Sequence, residues 1–247
     1  MKLSTSIFAC LAFVAAGTAN ATIVTAQDGF DSANGGTGWD GNWALIAGKN
    51  PPASITGSSL VFTGNHANAA VRTLANAQNG DVFVDFTLSY NRALGNNDFV
   101  GLWFGNQDGP NIGLKANCGE DKNPAKCKND LFVRTGGNGG TFAIETTPNT
   151  TYHLFGHLYK TNGSDYYNAF DAWVKDAQSN VSPVFSYIGK SNVTDFTSIG
   201  FRSVNIDNKL AVSIDNLRIA NVPEPGSVAL MGLALAGLAA ARRRKRA

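Results

Sequence analysis

Short runs of alternating apolar and polar residues, separated by turn-forming residues, fill the middle of the chain. From Val82 to Tyr90 the residues Val84, Phe86, Leu88 and Tyr90 fall on one side and Asp85, Thr87 and Ser89 on the other. A period of two marks a strand with one face buried. The same reading covers Ser59 to Thr63, Phe99 to Phe104, Asn111 to Lys115, Leu131 to Thr135, Thr141 to Glu145, Tyr152 to Lys160, Ala169 to Lys175, Ser198 to Arg202 and Leu210 to Ile219. Between the runs stand Gly95-Asn96-Asn97-Asp98, the glycine-rich stretch from Gly136 to Gly140, Thr161-Asn162-Gly163-Ser164 and Asp207-Asn208. These residue types supply turn geometry. About ten strands at close spacing predict an all-β, antiparallel two-sheet sandwich, and no helix is required before residue 227. In the last run the apolar phase moves from Leu210, Val212 and Ile214 to Leu217 and Ile219. A bulge near Asp215-Asn216 would restore the inward face.

The two ends follow other patterns. Lys2, an apolar stretch from Ile7 to Ala16 and the small residues Ala19 and Ala21 around Asn20 read as a secretory signal peptide cut after Ala21. At the other end, Val222-Pro223-Glu224-Pro225 precedes an apolar run from Val228 to Ala241 and then Arg242, Arg243, Arg244, Lys245 and Arg246. As a helix that run would extend about 21 Å, short of a hydrocarbon core of about 30 Å. The basic end stays cytoplasmic by the positive-inside rule, leaving the body on the far side. The expected domains are therefore a signal peptide at 1–21, one β domain at 22–221 and a tail at 222–247.

Charge changes the picture once the ends are set aside. The whole chain carries +2, but Thr22 to Val222 holds 14 Lys and Arg against 17 Asp and Glu, a net of −3. A mildly acidic body without a basic stripe argues against nucleic acid as a partner. Cys10 leaves with the signal peptide, and Cys118 and Cys127 remain. In an exported chain this even pair reads as a disulfide rather than a metal site, which would need more Cys or His nearby. Closing so short a loop contributes roughly 2 to 3 kcal/mol.

The tail resembles the PEP-CTERM sorting signal of Gram-negative bacteria, which a membrane enzyme called exosortase recognises. The resemblance implies passage through the inner membrane, removal of the tail and delivery to the cell surface or matrix, often in bacteria that make exopolysaccharide. The body is similar to laminin-G-like, concanavalin-A-like jelly rolls through Asp28-Gly29-Phe30-Asp31, Gly35-Gly36-Thr37-Gly38-Trp39, Trp43, Ser59-Leu60-Val61-Phe62 and the stretch from Ser213 to Ile219. This likeness implies two packed sheets with the first and last strands adjacent. Jelly rolls of this type often hold structural calcium, and Asp28, Asp31 and Asp215 would supply hard oxygen ligands where the terminal strands pair.

Enzymatic chemistry is hard to assemble from these residues. A retaining glycosidase needs two carboxyl groups about 5 to 5.5 Å apart, and the body has only Glu120 and Glu145, with no Glu-x-Asp-x-Glu run. Asp165, Asp171 and Asp176 form the nearest acidic cluster and read as turn and surface residues. His153 and His157 lie four apart on a strand, about 13 Å along it, too far for one metal ion. No Gly-x-Ser-x-Gly is present, and the glycines from 136 to 140 lack the helix and Lys of a phosphate loop. Trp103, Tyr166, Tyr167 and Trp173 offer flat rings for stacking on sugars. The expectation is a non-enzymatic surface or extracellular-matrix protein associated with exopolysaccharide or biofilm. The alternatives are a lectin-like carbohydrate-binding module and, behind it, a glycoside hydrolase.

Overall fold

The computed structural model describes residues 23–46, 52–118, 128–137 and 139–221, and every regular element among them is a strand. In chain order these are β1 (Ile23–Asp28), β2 (Trp39–Leu45), β3 (Ser54–Thr56), β4 (Ser59–Thr63), β5 (His66–Gln78), β6 (Val82–Tyr90), β7 (Phe99–Phe104), β8 (Asn111–Asn117), β9 (Lys128–Arg134), β10 (Thr141–Glu145), β11 (Tyr152–Tyr159), β12 (Ala169–Lys175), β13 (Phe185–Ile188), β14 (Phe196–Val204) and β15 (Ala211–Asn221). They form two antiparallel sheets. The first runs β13-β12-β11-β6-β15-β4-β3 with β1 added against β15, and the second runs β10-β9-β8-β7-β14-β5-β2. Strands adjacent in space but distant in sequence, such as β7 beside β14, make this a jelly-roll sandwich rather than a meander.

The alternation read from Val82 to Tyr90 holds residue by residue: every second side chain from Val82 is buried and the intervening ones are partly exposed. The inner faces meet through edge-on aromatic pairs, Phe86 with Phe201 at 5.9 Å and Phe104 with Phe170 at 5.8 Å between ring centres. Edge-to-face packing places the positive ring edge on a negative ring face. The first and last strands pair as the jelly-roll resemblance implies, Val24 opposite Ala220 and Asp28 opposite Leu217. The bulge also falls where the phase shift requires it. The β15–β6 register slips between Asp215 and Arg218, Asn216 takes a φ of 52°, and Leu217 and Ile219 return to the core.

Strands β1, β2, β3, β5 and β13 extend the sequence reading. The largest of these, β5, is built on Ala and Asn rather than on β-branched residues, so its pattern is muted. It carries Arg72, whose side chain turns inward at the end of the sandwich and pairs with Asp28, both fully buried. The Asp28 carboxylate also accepts from the Phe30 N–H at 2.7 Å and the Trp43 indole N–H at 2.8 Å. Arg72 donates further to the Gly35 and Gly41 carbonyls at 2.8 and 2.9 Å and lies 4.9 Å from the Trp39 ring centre. Burial lowers the guanidinium pKa, and the charge and hydrogen bond of Asp28 oppose that shift.

Residues 22–223 form one unit whose core is closed by its own strands. Removing one member of a buried ion pair strands the other charge. In urea unfolding of this unit, Arg72→Met is expected to lose about 3 to 5 kcal/mol, with Asp28→Asn added to it recovering part of the loss. An unchanged midpoint for Arg72→Met would remove the pair from the account.

A second expectation concerns alkaline pH. Burial raises the phenol of Tyr90 to about 12, offset in part by its hydrogen bond with Thr146 at 2.9 Å. A raised folded-state pKa gives stability that is present below the unfolded value of about 10 and is lost as pH rises toward the folded value. Stability should therefore fall between pH 10 and 12 with a slope of about 1.4 kcal/mol per unit from this residue. Tyr90→Phe should reduce that slope in alkaline titrations of the unfolding midpoint.

Candidate functional site

The outer face of the second sheet departs from the usual pattern for a solvated surface. On β7, Val100, Leu102 and Phe104 enter the common core, so Phe99, Gly101 and Trp103 point the other way. Phe99, Trp103 and Phe132 are nonetheless all buried, and none belongs to the core cluster. Register sets three rows across this face. Gly200, Trp103, Asn111 and Arg134 stand in line, as do Arg202, Gly101, Gly113, Phe132 and Phe142, and then Val204, Phe99, Lys115 and Asp130.

The middle row contains two adjacent glycines, and both are required by close approach. A Cβ on Gly113 would stand 2.0 Å from the Val100 carbonyl oxygen, and one on Gly101 would stand 2.7 Å from Cζ of Phe99. The Phe99 ring thus folds over bare backbone. A similar approach places the Trp103 indole over Gly200, where an added Cβ would lie 2.4 Å from Cζ2.

Cations cover these rings. The Arg134 guanidinium lies 5.5 Å from the Phe99 centre and 5.8 Å from that of Phe132, and Arg202 lies 5.9 Å from Phe99. The Lys115 ammonium is 5.9 Å from Phe132 and 5.8 Å from Phe142. Together with Asn97, Val204 and Asn205, Phe99, Phe132 and the three cations line a cavity of about 320 Å³. Among the described residues its lining includes no carboxylate. Arg202 donates to the Gln107 carbonyl and reaches the exposed Asp108 at 3.4 Å, and Asp130 stands opposite Lys115 across β8 and β9. Among the described residues, neither Lys115 nor Arg134 forms an ion pair.

Crowded, half-buried cations carry an electrostatic cost. Burial lowers the Arg134 pKa, and the charge of Arg202 lowers it further. Burial likewise lowers that of Lys115, with Arg134 adding to the effect. The buried Nε atoms of Arg134 and Arg202 have no hydrogen-bond partner, nor does the Trp103 indole nitrogen. Clustered positive charge beside aromatic walls makes a surface suited to an anionic, hydroxylated ligand.

The four aromatics singled out in the sequence do not converge. Trp103 is only 4% exposed on the second sheet, and Tyr167 is fully buried with its hydroxyl donating to the Gly80 carbonyl at 2.7 Å. Neither presents a free ring face. Tyr166 is 46% exposed beside the loop residue Ser164, while Trp173 stacks on Phe155 at 5.5 Å, with an interplanar angle of 2°, on the outer face of the first sheet. Nearby, His153 bonds to Asp85 at 2.9 Å and His157 to Asp81 at 3.2 Å while stacking on Phe83. The two histidines are thus hydrogen-bonded sheet residues. Their rings stand against neighbouring rings, His153 beside Phe155 and His157 between Phe83 and Tyr159.

Of the three acids expected to hold calcium, Asp28 and Asp31 line one cavity together with Asn216. Asp28 is taken up by Arg72, Trp43 and the Phe30 N–H. Asp31 accepts from Ser58, and Asp215 from Asn216. No group of three His, Cys, Asp or Glu among the described residues is placed to hold a metal ion. Cys118 is buried just beyond β8, whereas Cys127, the signal-cleavage residues Ala19 and Ala21, and the sorting residues Val222, Pro223, Glu224 and Pro225 lie outside the described residues. The same holds for the C-terminal apolar helix, and no helix among the described residues is long and apolar enough to cross a membrane.

The described residues define an antiparallel two-sheet jelly-roll sandwich, and the chain that carries it also holds a PEP-CTERM protein-sorting motif, matched over residues 221–245. The motif implies export and processing in transit through the membrane. No curated protein is similar to the chain in sequence. Among solved structures, the CBM2 module of the evolved Dit of Lactobacillus casei BL23 phage J-1 superposes with a TM-score of 0.52 at 7% identity, covering 82% of this chain and 98% of that one. At that identity the likeness concerns the fold alone. The Emp47p carbohydrate recognition domain gives a TM-score of 0.48 at 9% identity, covering 83% of this chain and 97% of that one. Alginate lyase Aly36B gives 0.48 at 10% identity, covering 80% and 97%.

Proposed function

We propose that this is a non-enzymatic exported protein, processed at its C-terminus by an exosortase and held at the cell surface or in the matrix of a Gram-negative bacterium through association with exopolysaccharide. The cleft on the second sheet carries this reading. It combines aromatic rings with three cations and two Asn side chains, Asn97 and Asn205, and among the described residues has no carboxylate in its lining. Glycosidic hydrolysis through paired carboxyl groups has nothing to work with there. Under this reading the tail and the signal peptide act only in delivery, and Cys118 pairs with Cys127 to pin the loop leaving β8.

Binding is testable with residues 22–223 and the polysaccharide recovered from the producing cells. The wild-type unit should sediment with the polymer saturably, and Phe99→Leu should weaken retention several-fold while Trp173→Ala, on the other sheet, leaves it unchanged. Absence of retention, or shortening of the polymer during incubation, would overturn the reading.

Delivery is tested separately in cells. Replacing Pro223, Glu224 and Pro225 by Ala should leave full-length precursor in the membrane fraction. Wild-type protein found at the cell surface with its Arg-rich end still attached would sink the processing scheme.

A further inference from the structure

The glycan-binding reading does not say which sugars the cleft takes, and the charge distribution around it does. The body as a whole is acidic, with a net of −3 between Thr22 and Val222. Three of its cations are nevertheless brought to one hollow from three strands. Lys115 comes from β8, Arg134 from β9 and Arg202 from β14. Arg134 and Arg202 both lie within 6 Å of the same Phe99 ring centre, and Lys115 and Arg134 share Phe132.

Like charges this close repel, and their desolvation adds to the cost. A pair of arginines serving only as lids over aromatic rings would be improved by nearby carboxylates. Instead, the cavity lining offers them none, and each arginine keeps a buried Nε without a partner. Asp108, on the exposed side of Arg202, is 64% exposed and contacts that guanidinium at 3.4 Å, too long for a strong bond. Guanidinium forks match the two oxygens of a carboxylate or the oxygens of a sulfate, while the partly exposed ring of Phe142 beside Lys115 matches the C–H face of a pyranose.

We propose that the cleft binds an acidic sugar residue of a polysaccharide, with its carboxylate or sulfate between Arg134 and Arg202 above Phe99, and Lys115 meeting the acidic group of an adjoining residue. This inference rests on the glycan-binding function proposed above. A neutral glycan would satisfy the rings and leave the cation cluster unpaired. An acidic one neutralises it.

The test uses residues 22–223 in calorimetry against polygalacturonate, carboxyl-reduced polygalacturonate, dextran sulfate, dextran and duplex DNA. Saturable binding to polygalacturonate, weakened about tenfold by Arg134→Gln and by Arg202→Gln and reduced by added salt, is expected. Unfolding midpoints of both variants guard against misfolding, and Arg134→Lys, which keeps the charge and loses the fork, should fall between wild type and Arg134→Gln. Binding to dextran sulfate but not polygalacturonate would support the inference with sulfate as the acidic group. If the carboxyl-reduced polymer binds as tightly as the acidic one, the acidic assignment fails while glycan binding stands. If no acidic or neutral polymer binds, both fail together. Tighter binding to DNA than to either acidic polymer would overturn the sugar assignment in favour of a general polyanion site.

Discussion

The buried pair of Asp28 and Arg72 is the contact on which the two sheets depend at one end of the sandwich. Asp28 ends β1, in the first sheet, and Arg72 sits within β5, in the second. Taking two charges out of water costs several kcal/mol per ion, so such a pair holds only when its remaining hydrogen-bonding capacity is met. Here the carboxylate accepts from an indole and a backbone N–H, and the guanidinium donates to two carbonyls and rests near two indoles. The loop between β1 and β2 is thereby fixed, because Gly35 and Gly41 each give a carbonyl to the same guanidinium. Fixing β5 fixes β14 beside it through their shared register, and β14 in turn aligns β7. The candidate cleft lies two strands away from the ion pair and inherits its geometry from it.

The two clusters of charge solve opposite problems. Around Arg72 the Nε and Nη1 donors meet matched acceptors, as expected for a group whose task is to hold the fold. Around Phe99 the three cations meet only the exposed Asp108, at 3.4 Å from Arg202, and two buried Nε atoms have no hydrogen-bond partner among the described residues. A native fold tolerates few such defects, and they concentrate where a ligand completes them. The glycines at 101 and 113 serve close approach instead: they admit the Phe99 ring and the backbone of the neighbouring strand.

Much of the fold was legible because a strand's period of two is a local property. The alternation from Val82 to Tyr90 and the phase shift at Asp215-Asn216 could both be read directly from adjacent residues. Strand β5 was less visible, since Ala and Asn give weak contrast and its key residue faces inward with a charge. The cleft was hidden for a different reason. Lys115, Arg134 and Arg202 are separated by 19 and 68 positions, so no basic stripe exists until antiparallel pairing aligns their strands. Parity could have pointed to Phe99, Gly101 and Trp103 as one face of β7, but not to which face was outward, because all six residues of that strand are buried. Trp103 and Trp173, which look alike in sequence, ended on different sheets.

Net charge and local charge act at different ranges, which bears on how such a body would meet an acidic polymer. At physiological salt the Debye length is about 8 Å, so acids scattered over the surface repel a polyanion only where it comes close. A cluster of three cations in a recess with aromatic walls acts at contact, where screening is weakest and the local dielectric is low. An acidic surface surrounding one basic recess therefore disfavours non-specific adhesion and leaves a single productive approach, through the outer face of the second sheet. A uniformly basic body would bind more tightly and with no preferred face. Specificity of orientation comes from confining the positive charge, and antiparallel pairing confines it by bringing Arg134 and Arg202 to one ring.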